Sequence, residues 1–278
     1  MEDFKNFEVA EDIRQSQEYG DYMQNLKWQV LQIHGVQIFI KKIGPVGIAK
    51  IQRTKEDVPW ERVFAELKKY RVFSCRYEPG DQILDPRCQI LGFKYSSWPL
   101  LGTKTLRVNL RPTEEQIFDS FTKDCRYTLR RIKKTEYRIQ KNNFETFYEI
   151  WKKSAKRKSL WIPPPKEYQA LIESFGNNVF CLTADNEAGA LILINKKTVF
   201  YYYAGGTKRA NIDNLPNLLV WEAMKEAKKR GSLVWDFEGI YDARWPNPGW
   251  KGFTHFKKSF GGVEIEYPGS FQKWLWPF

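Results

Sequence analysis

From the N-terminus, apolar and polar residues first alternate with the period of strands. "WQVLQIHGVQIFIKKIGPVGIAKIQ", residues 28–52, alternates on either side of Gly35 and of Gly44-Pro45, which predicts a meander of three strands. "PWERVFAELKKY" changes to helical spacing behind Pro59 and predicts a helix. "VFSCRYEP" and "TLRVNL" return to strand patterning. "TEEQIFDSF" and "KDCRYTLRRIKK" follow as helices, the first opened by a capping box of Thr113 and Gln116.

The second half covers similar ground. "NFETFYEIWKKSAKRK" and "PKEYQALIESF" have helical spacing, and "NVFCLTADNEAGALILINKKTVFYYYAGG" reads as three strands joined by Asn, Asp and Gly turns. "LPNLLVWEAMKEAKKRG" carries the sharpest helical stripe, Leu215, Leu218, Leu219, Ala223 and Ala227, closed by Gly231. "SLVWDFEGI" is a short buried strand, "GFTHFKKSFGG" a helix ended by glycine, and "VEIEY" a last strand. In "YYYAGG", plain alternation puts Tyr201 and Tyr203 on one strand face and Tyr202 on the other. No residue-level repeat links the halves; only the order of elements recurs. That order predicts an α+β domain used twice, with a first domain over 1–140, a second over 141–267 and a tail over 268–278.

Composition narrows the function classes. With 278 residues, 42% of them hydrophobic, the chain can bury a sizeable core. A net charge of +12 favours a polyanionic partner. Cys75, Cys88, Cys125 and Cys181 are widely spaced, which suggests a cytoplasmic chain with neither a zinc site nor a disulfide framework. His34 and His255 are the only histidines, so most His-based metal sites are excluded. "MEDFKNFEVAED" has no apolar run to serve as a secretory signal, and no stretch approaches the roughly 18 apolar residues of a membrane span.

Two basic runs leave alternatives open. Lys123, Arg126, Arg130, Lys133 and Lys134 either neutralise nucleic-acid phosphates or form a solvated helix face. "KKSAKRK", with Arg157, either complements a helix dipole or serves a function that the residues alone do not name. In "GFTHFKKSFGG", Lys257 between Phe256 and Lys258 is either a surface lysine or a fixed ammonium beside an aromatic ring.

Several segments, in order, resemble the FemABX family of aminoacyl-tRNA-dependent peptidyltransferases. They are "RQSQEYGDYMQNLKWQV", "IGPVG", "CRYEP", "DCRYTLRRIKKTEYRI", "LLVWEAMKEAKKRG", "WDFEGI" and "HFKKSFGG". The resemblance spans nearly the whole length and implies two tandem acetyltransferase-like (GNAT) domains with mixed central sheets flanked by helices. It implies transfer of an amino acid from aminoacyl-tRNA to the stem peptide of a peptidoglycan precursor, either UDP-MurNAc-pentapeptide or its lipid-linked form. No cofactor or metal is implied, and a cytoplasmic monomer, in peripheral contact with the inner membrane face, is expected.

By the same resemblance, Lys257 stabilises the tetrahedral oxyanion of ester aminolysis and Phe256 stacks on the terminal adenosine. Glu78 falls where the family has a carboxylate near the acceptor amine, as proton acceptor or orienting group; a salt bridge with Arg76 or Lys94 is the structural alternative. Arg76, Arg157 and Tyr203 are expected on the substrate side, and Arg126, Arg130 and Lys134 on the tRNA. Two departures bear on the acceptor: Met23 stands where many members have a lysine, and "FEG" with Glu238 where "FGG" is usual. The rival readings are a GNAT-fold acyltransferase acting on a polysaccharide or protein, and a non-catalytic RNA-binding protein. Against an acyl-CoA donor, "AGGTKRANIDNLPN" lacks the glycine-rich loop such enzymes use. The aromatic tail "GSFQKWLWPF" is expected either to pack back onto the first domain or to anchor weakly at a membrane surface.

Overall fold

A computed structural model describes residues 7, 10–55, 57–80, 87–132 and 137–275, so Lys133, Lys134, Trp276 and Phe278 lie outside the described residues. The first elements are α1 (Gln17–Asn25), β1 (Gln29–Ile33), β2 (Val36–Ile43), β3 (Val46–Gln52), α2 (Trp60–Lys69), β4 (Val72–Glu78), α3 (Arg87–Ile90) and β5 (Lys94–Tyr95). Then come β6 (Lys104–Asn109), α4 (Glu114–Asp119), α5 (Lys123–Ile132), β7 (Ile139–Lys141), α6 (Phe144–Arg157), α7 (Pro165–Phe175), β8 (Val179–Ala184) and β9 (Ala188–Asn195). The last are β10 (Thr198–Gly206), α8 (Lys208–Ile212), α9 (Leu215–Lys229), β11 (Val234–Asp236), α10 (Trp250–Lys258), β12 (Val263–Glu266) and β13 (Phe271–Trp274).

Two compact units result. The N-terminal unit comprises Asp12–Lys104, Tyr241–Pro248 and Ile265–Phe278; the C-terminal unit comprises Met1–Glu11, Thr105–Ile240 and Gly249–Glu264. The division at 104/105 differs from the boundary expected near residue 140. Packing explains the difference: Leu106, Val108, Ile117, Phe121 and Leu129 are buried in the same core as β8–β11 and α9.

In the N-terminal unit, β1, β2 and β3 form the expected antiparallel meander, with Val30 opposite Phe39 and Ile40 opposite Ala49. α2 carries the chain across to β4, which runs parallel to β3. β13 lies antiparallel beside β4, Phe271 opposite Tyr77, and β5 closes the order β1-β2-β3-β4-β13-β5. Alternation sends Ile38, Ile40, Ala49, Ile51, Cys75 and Tyr77 to a core shared with α2, where Trp60 meets Tyr77 and Phe93 at 5.0 and 4.8 Å. Burying each large apolar side chain there contributes about 1.5–3 kcal/mol. The opposite strand face carries Lys50, Gln52, Ser74, Arg76 and Glu78.

The opening "QSQEYG" segment is architectural. Gln15 Nε2 donates to the Gln52 carbonyl at 2.6 Å, and Gln15 Oε1 accepts from the Gln37 N–H at 2.9 Å. Ser16 Oγ caps α1 by accepting from the Tyr19 N–H at 3.1 Å. A Cβ at Gly20 would lie 2.7 Å from Gln37 Oε1, so a side chain there would have to displace the Gln37 amide.

In the C-terminal unit, β7 to β10 run antiparallel in succession, α9 crosses over, and β11 lies parallel to β10 with β6 antiparallel beyond it. The sheet order is β12-β6-β11-β10-β9-β8-β7. Both halves of the Thr113/Gln116 capping box form, and the predicted stripe of α9 is buried. β10 departs from plain alternation. Tyr201 stands opposite Ile192 but Tyr203 opposite Leu191, so an extra residue bulges at Tyr202. Tyr201 therefore packs on Trp235 and Phe237, whereas Tyr203 stacks on Trp151 of α6 at 4.0 Å. The expectation that Tyr201 and Tyr203 share a face is corrected, because one inserted residue reverses which face later side chains take. All four cysteines are buried and free. Among the described residues, no helix is long and apolar enough to cross a membrane.

Candidate active site

The glycine doublet after α10 lets the chain leave the helix in close contact with its neighbours. Gly261 and Gly262 have φ of +69° and +94°, and a Cβ on Gly262 would lie 2.4 Å from the Arg107 carbonyl oxygen. In the last turn of α10, Lys257 is half-buried, with its ammonium turned inward. Its Nζ donates to the carbonyls of Phe237 at 2.7 Å and Gly239 at 2.6 Å. Burial pushes the ammonium down to about 8, while the nearby carboxylates of Glu238 and Asp236 act to raise it.

The two carbonyls flank Glu238, whose φ of +66° is in the left-handed region. That turn is anchored by Asp236, which is buried at the end of β11. Asp236 Oδ1 accepts from the Glu238 N–H at 2.8 Å and from Thr105 Oγ1 at 2.6 Å; Oδ2 accepts from Arg107 Nε at 2.8 Å. A buried, hydrogen-bonded ion pair thus sets the turn, and the turn holds the lysine.

Lys257 Nζ also lies 4.9 Å from the ring centroid of Phe253, which is 37% exposed. Phe256 is half-buried against the core and meets Phe260 edge-on at 5.4 Å. The exposed ring beside the ammonium is therefore Phe253. Its spacing of four residues from Lys257, one helical turn, was the available signal.

In the N-terminal unit, Glu78 is 2% exposed and both of its carboxylate oxygens have partners. Oε2 accepts from Gln52 Nε2 at 2.8 Å; Oε1 accepts from the N–H groups of Leu100 at 2.6 Å and Leu101 at 3.3 Å. Arg76 donates to the Trp98 carbonyl. Glu78, expected near an acceptor amine, and Arg76, expected on the substrate side, both grip the backbone of residues 98–101. Lys50, which sequence reading passed over, lies on the same strand face with its Nζ 4.8 Å from the Trp28 ring centroid and 5.4 Å from that of Phe39. Burial and then Arg14 push its ammonium down to about 8, with Glu78 opposing. Its signal was a lysine at the polar positions of "GIAKIQ".

The basic residues of the C-terminal unit are more committed than their spacing suggested. Arg126 donates to the carbonyls of Asp119, at 2.8 Å, and of Phe121. Arg130 lies over Phe118, its guanidinium 5.5 Å from the ring centroid, and lines a cavity of about 430 Å³ with Glu114, Glu115, Asp119, Trp221 and Lys225. That cavity is thus lined by three carboxylates and two cations, Arg130 and Lys225. Arg157 donates to the Gly206 carbonyl at 2.7 Å, and Tyr203 packs between Trp151 and Tyr202. Lys134 lies outside the described residues.

Residues 184–278 match the family model described as the FemAB family. Over that stretch, the chain is similar to the FemAB family. The matched FemAB segment contains Tyr203, Asp236, Phe253, Phe256 and Lys257, while Glu78, Arg126 and Arg157 precede it. The fold is similar to that of FemX, with a TM-score of 0.82 at 13% identity, covering 98% of this chain and 94% of that one. It is also similar to L-PGS from Bacillus licheniformis, with a TM-score of 0.57 at 13% identity over 95% and 93% of the two chains. A tandem GNAT protein from the clavulanic acid biosynthesis pathway matches with a TM-score of 0.54 at 10% identity over 90% and 82%. At these identities the likeness is one of fold, and it bears out two tandem GNAT-like domains. No curated protein matches the sequence.

Both departures from the FemABX pattern now have a structural setting. Met23 is buried in α1. Glu238 occupies a left-handed position that glycine adopts without a Cβ penalty, which accounts for the usual "FGG". Its carboxylate also favours the charged form of Lys257. Glu238→Gln is therefore expected to lower the Lys257 pKa further. The alkaline limb of the pH–rate profile should move to lower pH with the acid limb unchanged; a limb that stays in place would separate Glu238 from the ammonium.

Proposed function

We propose that this protein is an aminoacyltransferase that moves an amino acid from aminoacyl-tRNA to the stem peptide of a peptidoglycan precursor, UDP-MurNAc-pentapeptide or its lipid-linked form. The observation that carries the reading is the inward-turned Lys257 ammonium, held by Phe237 and Gly239 inside the FemAB-matched segment. The FemX-like and tandem GNAT folds support an acyltransferase, and the charge of +12 suits a tRNA partner.

In the reaction proposed, the neutral acceptor amine attacks the ester carbonyl carbon, forming a C–N bond and a tetrahedral oxyanion. Lys257, as the ammonium, stabilises that oxyanion while its other protons stay on the Phe237 and Gly239 carbonyls. Collapse re-forms the carbonyl and breaks the C–O bond to the tRNA ribose. The proton lost by the amine is carried to the departing ribose oxygen. In this reading Phe253, exposed beside Lys257, stacks on the terminal adenosine.

Incubating the protein with UDP-MurNAc-pentapeptide and radiolabelled glycyl-, alanyl- or seryl-tRNA tests the reading. Label should pass to the precursor from at least one tRNA, and RNase treatment of the donor beforehand should abolish transfer. Transfer from acetyl-CoA alone would instead identify a CoA-dependent acyltransferase, and tRNA binding without transfer to soluble or lipid-linked precursor would identify an RNA-binding protein.

A further inference from the structure

Between residues 90 and 100 the N-terminal unit exposes several large apolar side chains, although nothing in the transfer reaction requires it. Ile90, Tyr95, Trp98 and Leu100 are 85, 57, 75 and 47% exposed. Exposed apolar residues are ordinary when scattered, but four large ones within eleven residues form a local concentration. Trp98 and Leu100 lie on a loop whose backbone is restrained. The Trp98 carbonyl accepts from Arg76, the Trp98 N–H donates to Ser96 Oγ at 3.3 Å, and the Leu100 and Leu101 N–H groups donate to the buried Glu78 carboxylate. With the backbone tied down by side chains beneath it, most of Trp98 and about half of Leu100 are held out in water, at a hydration cost.

The charge around the loop indicates what would cover it. From Arg87 to Lys104 the chain contains no Asp or Glu. Arg87 and Lys104 are paired with Asp57 and Glu266, while Lys94 is exposed next to Tyr95. An apolar tip containing Trp, in a segment with no Asp or Glu of its own and with the nearby Glu78 carboxylate buried beneath it, on a chain of net charge +12, is complementary to an anionic lipid surface. Tryptophan and leucine settle at the headgroup–acyl boundary, and cations are drawn to acidic headgroups.

We propose that the Trp98–Leu101 loop docks this protein on anionic membrane surfaces. Glu78 and Arg76 act as positioning residues that keep the tip presented. This moves the expected membrane contact away from the C-terminal tail, whose residues 271–274 form β13 inside the sheet. Docking does not depend on the transferase reading.

Flotation of the whole chain with phosphatidylcholine vesicles, with and without phosphatidylglycerol, tests the proposal without any transfer reaction. The protein should float with the phosphatidylglycerol vesicles and less with phosphatidylcholine alone. Trp98→Ser/Leu100→Ser should reduce that binding by roughly tenfold or more, with an unchanged thermal midpoint because both side chains already face water. The matched pair Leu160→Ser/Trp161→Ser removes equally exposed residues from the C-terminal unit and should leave binding intact. Lys94→Glu, which keeps the loop, should weaken binding to the phosphatidylglycerol vesicles. The proposal is overturned if the parent protein does not float, if the Trp98/Leu100 variant floats as well as the parent, or if the matched pair loses as much binding.

Discussion

Lys257→Met is expected to slow single-turnover aminoacyl transfer by roughly 10²–10³, the usual loss on removing one oxyanion-stabilising donor. The ammonium is preorganised: two carbonyls and the helix end hold it, so no reorganisation is needed when charge develops on the substrate. The same burial that fixes it also brings its pKa to about 8. Because the protonated form is the one that stabilises an oxyanion, the rate should fall as pH rises through that value. Lysine loss also leaves the Phe237 and Gly239 carbonyls without this donor, a cost of about 1–3 kcal/mol in stability. Rates should therefore be measured well below the thermal midpoint. Lys257→Arg keeps a charge and donors but not the compact geometry, and should recover only part of the rate. Equal single-turnover rates in Lys257→Met and parent would remove this residue from the mechanism.

Asp236→Ala is expected to cost about 3–5 kcal/mol of folding stability, the range for breaking a buried charge pair from one side. The carboxylate is the common acceptor for Thr105, Arg107 and the Glu238 N–H, so its loss affects β6, β11 and the turn together. Urea unfolding would show the loss as a lower midpoint with an unchanged slope. Asp236→Asn, which keeps one acceptor oxygen but replaces the other with an NH2 donor and removes the charge, should lie between. Where Asp236→Asn remains folded, transfer should still be slower than in the parent, because the turn carrying the Phe237 and Gly239 carbonyls is less firmly held. An alanine variant as stable as the parent would mean that Arg107 and Thr105 find other partners at no cost.

The legible parts of the fold were those specified by a few neighbouring residues. The meander over 29–52, the Thr113/Gln116 box, the α9 stripe and the glycine-ended α10 each follow from a period or cap acting within one or two turns of chain. Sequence also singled out Lys257, through the company of Phe256 and the glycine doublet, and separated Tyr201 from Tyr202. It missed that Tyr203 changes sides, since a bulge depends on the partner strand β9. It placed the boundary near 140 because helices α4 and α5 precede it in the chain, whereas their apolar faces are buried with strands that come later. It read Glu78 as a proton acceptor or orienting group, or else as a salt-bridge partner of Arg76 or Lys94; it gave no sign that Leu100 and Leu101, more than twenty residues on, donate to one of its oxygens.

What the sequence determined by itself was therefore local: the elements, their order, the α+β class and the residue types available for chemistry. The tertiary structure alone decided which groups those residues meet. It put Lys257 on two carbonyls rather than in solvent, made Phe253 rather than Phe256 its exposed neighbour, and set Arg130 over the Phe118 ring in a cavity that three acids and Lys225 also line. The physical reason is range. Periodicity and capping are energies between residues a few positions apart, while burial, pairing and desolvation depend on segments distant in the chain that only folding brings together.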